Sequence, residues 1–118
     1  MRILLLGANG FIGSHLTEKI LDTSDDEVVA FDIKGDNLEC FSRRKRFSFC
    51  RGNIFEDDAW LEEQVAACDV VLPFAGVVKP AYYLSHSLWT FELDFEQNLK
   101  IVRLCVKHGK RVIFPSTH

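Results

Sequence analysis

Hydrophobic residues in this chain fall into short unbroken runs that alternate with stretches whose apolar positions recur every three or four residues. Arg2 to Leu6 is a short apolar run stopped by Gly7, which predicts a strand. From Phe11 to Leu21, Ile12, Leu16 and Ile20 recur at steps of four, which predicts a helix packing on that stripe. The polar run from Asp22 ends it. Glu27 to Ile33 is again apolar and β-branched, as in a strand covered on both faces, and Lys34, Gly35, Asp36 and Asn37 break it. Phe47 to Arg51 alternates as a third strand. Asp57 to Ala67 predicts a helix with Trp60, Leu61 and Val65 on one side, and Asp69 to Leu72 a fourth strand stopped by Pro73. A long helix from about Ser87 to His108 should end at Gly109, before a fifth strand from Arg111 to Phe114. Strands alternating with helices imply an α/β fold with a parallel sheet of βαβ units.

Composition narrows the class. With 118 residues, 47% of them apolar, the chain is long enough for one folded domain over residues 1–118, and no repeat or linker divides it. The longest apolar runs fall far short of the ~18 residues of a membrane span, and no signal peptide precedes the first strand, so a soluble, cytoplasmic chain is expected. A net charge of −3 argues against a nucleic-acid partner, which wants a clustered basic surface. Cys40, Cys50, Cys68 and Cys105 fit no metal or redox spacing, and no His shares metal spacing with them, so no metal is expected and the thiols read as reduced and mostly buried.

The most informative stretch is Gly7-Ala8-Asn9-Gly10-Phe11-Ile12-Gly13, placed where a strand turns into a helix. Gly7 permits the tight turn, Gly10 lets a pyrophosphate approach the backbone, and Gly13 lets the helix pack close to the strand. The amides and positive dipole end of the helix then face the phosphates. Asp32 closes the second strand nineteen residues after Gly13, near the ~20 of a ribose-binding acid. The expectation is a Rossmann-type doubly wound sheet of about five strands in the order 3-2-1-4-5, truncated after the fifth. Its cofactor should be NAD rather than NADP, because a carboxylate there accepts both ribose hydroxyls and repels a 2′-phosphate. Arg43-Arg44-Lys45-Arg46 admits two readings, a phosphate clamp or a solvated helix end or strand entry.

These residues carry a resemblance. GANGFIGSHL is similar to the glycine motif of the extended short-chain dehydrogenase/reductase superfamily, the NAD-dependent epimerases, dehydratases and decarboxylases of nucleotide sugars. Within it, RGNIFED, CDVVLPFAG and FELDFEQNLKIVRLCVKHGKRVIFPST most resemble the UDP-glucuronic acid decarboxylase domains of bifunctional polymyxin-resistance proteins, which serve lipid A modification. Nearly all of the chain resembles the N-terminal third or so of such a domain.

The resemblance implies that Gly7, Gly10, Phe11, Ile12 and Gly13 line the pyrophosphate and that Asp32 holds the adenosine ribose. Asn53 and Ile54 fall where relatives have Gly-Asp-Ile or Gly-Asp-Leu at the adenine, and Asn53 keeps a carbonyl acceptor while losing the charge. Ala75 and Gly76 fall beside the nicotinamide ribose. Lys79, Pro80 and Tyr83 lie in a loop that in relatives borders the sugar, and that reads equally well as an ordinary loop. The family's Tyr-x-x-x-Lys pair is missing: His86 stands four residues after Tyr82, and Ser87 four after Tyr83. Pro115-Ser116-Thr117 match the family's fifth strand, and His118 stands where relatives have Ser.

The expected function is therefore the NAD-binding portion of a nucleotide-sugar oxidoreductase/decarboxylase of the UDP-glucuronate to UDP-4-keto-pentose type. The catalytic half is absent and no catalytic residue is assigned, so the UDP-sugar is a partner only of the full-length relative. The alternatives are a non-catalytic dinucleotide-binding or interaction module and a truncated product without independent activity. His15 reads as a packing residue of the first helical turn. The helix near Leu88 to Val106 is apolar almost all round, which suggests a second buried face, and with an uncovered fifth strand it predicts self-association.

Overall fold

A computed structural model describes residues 1–53, 56–74 and 99–113. Five parallel strands form one sheet in the order β3-β2-β1-β4-β5: β1 Arg2–Leu6, β2 Glu27–Asp32, β3 Phe47–Arg51, β4 Val70–Pro73 and β5 Arg111–Val112. Leu6 stands in register with Phe31 on one side and Pro73 on the other, and Asp32 with Arg51, so four strands finish along one edge. The order and the parallel direction are those of a Rossmann-type sheet.

Alternation along the strands builds two cores. Leu4, Leu6, Val29, Phe31 and Val71 face helix α2 (Asp58–Ala67) and helix α3 (99–108), packing on Leu61, Val65, Ile101 and Cys105. Ile3, Leu5, Val28, Ala30, Val70 and Leu72 face the other way, with Leu21 of helix α1 (Phe11–Thr23) and with Leu38 and Phe41. Every side chain from Ile3 to Leu6 is buried, as in a central parallel strand.

Several elements differ from the sequence pattern. Helix α1 buries Gly13, Thr17 and Leu21, not the expected Ile12-Leu16-Ile20 stripe; Leu16 and Ile20 flank the contact, and Ile12 is 56% exposed. The contact line follows the small residues, since a Cβ on Gly13 would stand 2.7–2.9 Å from Gly7 O, Ala8 O and Ala8 Cα. Strand β2 ends at Asp32 rather than Ile33, whose amide turns back to donate to Asp32 Oδ1 at 2.6 Å. Pro73 is the last residue of β4 rather than the stop before it; lacking an N–H, it passes the next ladder bond to Phe74, which donates to Leu6 O at 2.8 Å. Asp36 and Asn37, part of the expected break after β2, instead open a 3-10 turn over Asp36–Phe41 whose Leu38 and Phe41, three apart, are both buried.

The ends of helices α1 and α3 are closed differently. Gly109 adopts φ +66° beyond α3, with Gly109 N donating to Val106 O at 3.3 Å and Lys110 N to Cys105 O at 2.8 Å, so the expected glycine cap is present. At the C-terminus of α1, the Arg46 guanidinium donates to the carbonyls of Leu21 (2.9 Å), Asp26 (3.2 Å) and Ser24, and Arg44 pairs with Asp22 at 2.9 Å. Arg46 and Arg44 are thus bound at the sheet edge opposite Asp32, which fits the reading of the basic run as the strand entry.

The described part of α3 buries Ile101 and Cys105 and leaves Val106 76% exposed, so that stretch packs on one face. The helix expected from residue 87, and Phe114 at the end of the fifth strand, lie outside the described residues. No helix among the described residues is long and apolar enough to cross a membrane.

Candidate functional site at the carboxyl edge of the sheet

The glycine loop begins where β1 stops. Gly7 has φ +79°, a conformation that side chains disfavour, and this turn sends the amides of Gly7 and Ala8 to one acceptor, Phe31 O, at 2.8 and 3.3 Å. Gly10 is the N-cap of α1, with φ −70° and ψ 172°, and no side chain caps the helix. Its first turn carries no acidic residue. The first amides of the helix therefore open toward the edge with a positive end and no carboxylate of their own.

The three glycines separate by what a side chain would meet. At Gly7 the backbone itself excludes one, and at Gly13 the loop backbone does. At Gly10 an added Cβ meets only Gly7 O, at 3.6 Å, an ordinary contact. Nothing in the described fold requires glycine at position 10, and the space in front of it is open.

Asp32 ends β2 across from this loop. Its Oδ2 accepts the Asn9 amide at 2.9 Å and its Oδ1 the Ile33 amide at 2.6 Å, which fixes the carboxylate plane and leaves each oxygen capacity to accept again. Phe11 and Ile12 in the first turn of α1, and Ile33 next to Asp32, are exposed apolar side chains. His15 donates from Nδ1 to Phe11 O at 2.8 Å, and its ring lies 4.3 Å from that of Phe11, so it braces the first turn of α1.

Beyond β3, Gly52 N donates to Asp32 O at 3.0 Å, and Asn53 N donates to Asp57 Oδ2 at 2.7 Å while Asn53 O accepts the amides of Glu56 and Asp57, each at 3.0 Å. The structure thus gathers Gly7, Gly10, Phe11, Ile12, Gly13, Asp32 and Asn53 along one edge. Ile54, Ala75 and Gly76, with Lys79, Pro80 and Tyr83, lie outside the described residues. Asn9, Asp36, Asn37 and Asp57 were not singled out from the sequence, although polar Asn9 inside a glycine loop and the Asp36-Asn37 pair just beyond the second strand were the available signal. Among the described residues no group of three His, Cys, Asp or Glu side chains could hold a metal.

A family model described as NAD dependent epimerase/dehydratase family matches residues 3–118. The chain belongs to that family. Among solved structures, this epimerase/dehydratase chain is similar to the PbgP3 protein of Burkholderia pseudomallei, with 46% identity and a TM-score of 0.92 over 98% of this chain and 35% of that one. It is also similar to DesIV, a dTDP-glucose 4,6-dehydratase of Streptomyces venezuelae crystallised with NAD and TYD, at 26% identity and TM-score 0.83 over 95% of this chain and 38% of that one. UDP-glucose 4-epimerase of Thermotoga maritima, crystallised with UDP-glucose, matches at 25% identity and TM-score 0.80, over 99% of this chain and 38% of that one. The family chain described here spans little more than a third of each.

Proposed function

We propose that the carboxyl edge of this sheet binds NAD, and that the chain is the dinucleotide-binding part of a nucleotide-sugar oxidoreductase/decarboxylase acting on UDP-glucuronate. The open space at Gly10, between a turn and a helix contact that each exclude a side chain, carries the reading: a group that approaches the loop there meets backbone and no side chain. In this reading Gly7, Gly10, Phe11, Ile12 and Gly13 hold the pyrophosphate at the uncapped start of α1, and Asp32 accepts the two hydroxyls of the adenosine ribose. Asn53 and Ile54 border the adenine, and Ala75 and Gly76 the nicotinamide ribose.

NAD, when bound, would supply a hydride acceptor for the C4–H of the sugar as its 4-hydroxyl becomes a ketone and releases a proton. The chain's own residues bind and orient. Family membership and DesIV with NAD bound support the cofactor; the 46% identity to PbgP3, together with the RGNIFED and CDVVLPFAG segments, supports the UDP-glucuronate branch. Titration calorimetry tests the first part: NAD and ADP-ribose bind and NADP binds more weakly. No binding of NAD or ADP-ribose overturns the reading, and equal or tighter NADP binding overturns the preference.

These 118 residues contain no Tyr-x-x-x-Lys. The isolated chain is then expected to form no NADH from NAD and UDP-glucuronate above a protein-free control. Self-association belongs to the same proposal, since β5 pairs only with β4 among the described residues and Ile113 beside it is 48% exposed. Sedimentation over a concentration series is expected to show species above 13.5 kDa, reduced by Ile113→Lys.

A further inference from the structure

Asn9 uses each of its four polar atoms on one distant segment. Its amide donates to Asp32 Oδ2 at 2.9 Å, and its carbonyl accepts Asn37 Nδ2 at 2.8 Å. Its side-chain Oδ1 accepts the Asn37 amide at 2.7 Å, and its Nδ2 donates to Asp36 Oδ1 at 2.8 Å. The glycine loop and residues 32–37 are thus laced together through a single side chain and its own peptide groups, across 23 to 28 positions of sequence. We infer that Asn9 is a positioning residue that holds Asp32 and Asp36 as a two-carboxylate rim, and that this pair, rather than Asp32 alone, disfavours a dinucleotide carrying a 2′-phosphate. The inference rests on the NAD reading above and names what sets its selectivity.

The geometry supports it in two steps. Two carboxylates that bond the same asparagine are separated at most by its span and two hydrogen bonds, of the order of one Debye length, about 8–10 Å. A phosphate entering at Asp32 therefore meets both charges. Asp36 is also kept ionised: the Asn9 amide bond, then its own backbone amide, and more weakly Lys34 and Arg51, hold its carboxyl below the usual value. Without the lock, an exposed aspartate at the start of a 3-10 turn would sample orientations away from the rim.

Two variants separate the charge from the lock. Asp36→Asn keeps an oxygen to accept from Asn9 and removes the charge; it should leave the NAD dissociation constant within about twofold and tighten NADP binding about threefold to tenfold, the range expected for one charge across several ångströms of water-exposed surface. Asn9→Ala removes both side-chain bonds. In the ligand-free chain it should return the Asp36 carboxyl toward its ordinary titration, followed by carbon-detected NMR, and speed hydrogen exchange of the Asn37 amide; with ligand it should lower the NAD to NADP ratio. An unchanged ratio in Asp36→Asn, with NAD still bound by the unsubstituted chain, overturns the two-carboxylate rim alone. Unchanged Asp36 titration and Asn37 exchange in Asn9→Ala overturn the lock. Failure of the unsubstituted chain to bind either dinucleotide overturns the NAD reading, and the selectivity inference with it.

Discussion

Phe31 and Trp60 stack with ring centroids 4.8 Å apart and planes inclined by 24°. The pair joins the second strand to α2 directly beneath the functional edge, because the Phe31 carbonyl is also the acceptor for the amides of Gly7 and Ala8. The same ring reaches Gly52, where an added Cβ would stand 2.8 Å from Phe31 Cε2 and 2.5 Å from Asp57 Oδ2. Residue 31 thus supports the glycine loop through its backbone carbonyl and the turn after the third strand through its ring.

Removing that support is expected to destabilise the whole sheet. Phe31→Ala deletes a ring that is 2% exposed and should cost about 3–5 kcal/mol, read as a loss in urea midpoint. Gly52→Ala adds one carbon against ring and carboxylate and should cost about 1–3 kcal/mol by overpacking. A neutral Gly52→Ala would show that the loop, rather than the ring, sets that spacing.

The glycines make a sharper contrast. Gly10→Val should leave the melting temperature within a few degrees, since its backbone angles suit any residue and its Cβ meets nothing closer than 3.6 Å, yet abolish NAD binding in calorimetry. Gly13→Ala should do the reverse in origin: its Cβ would lie under 3.0 Å from three backbone atoms, so folding is lost first and binding only as a consequence. Retained NAD affinity in Gly10→Val places the pyrophosphate elsewhere.

Arg46 separates the two readings of the basic run. It donates to three carbonyls at the end of α1 and complements the negative end of that helix dipole, so Arg46→Ala should cost about 1–3 kcal/mol while leaving NAD and NADP affinities unchanged. A selective loss of NADP affinity would restore the phosphate clamp.

The sheet and the glycine-to-aspartate spacing were legible because they rest on local patterns. The apolar run of β1 and the loop after it have a backbone logic that three glycines spell directly. Asn9 was not legible, because its partners lie 23 to 28 residues away and exist only once β1 and β2 are side by side. The rotation of the α1 contact face was hidden for a related reason: hydrophobicity points to Ile12, whereas close approach to the strand selects Gly13 and Thr17, whose hydroxyl is satisfied by donating to Gly13 O at 2.9 Å. The 3-10 turn left a faint trace in the spacing of Leu38 and Phe41, obscured by the polar residues before it. Arg46 looked like one of four surface cations until the end of α1 came beside it.

Stability should fall at both ends of the pH range, through different groups. Asp26, held by the Met1 ammonium at 2.9 Å, and Glu62, held by Lys107 at 2.6 Å, both have carboxyls lowered below their ordinary values by those bonds, as does Asp36. A depressed carboxyl contributes fully above its unfolded pKa, near 4, and loses that contribution as pH falls through its folded value. The Met1 ammonium is raised by the same Asp26 bond, so its contribution is complete below about 8 and lost as pH climbs through the raised value. Cys105 adds to the alkaline side: burial, then the neighbouring Cys68, pushes its thiol to about 11, so the unfolded chain releases that proton first and the native state weakens between about 9 and 11. Melting temperatures are therefore expected to be flat from about pH 5 to 8 and to drop outside it. Asp26→Asn should shrink the acid drop and Cys105→Ala the alkaline one, each relative to its own value at pH 7. An alkaline drop undiminished in Cys105→Ala would assign it to the amino terminus or the other titrating side chains instead.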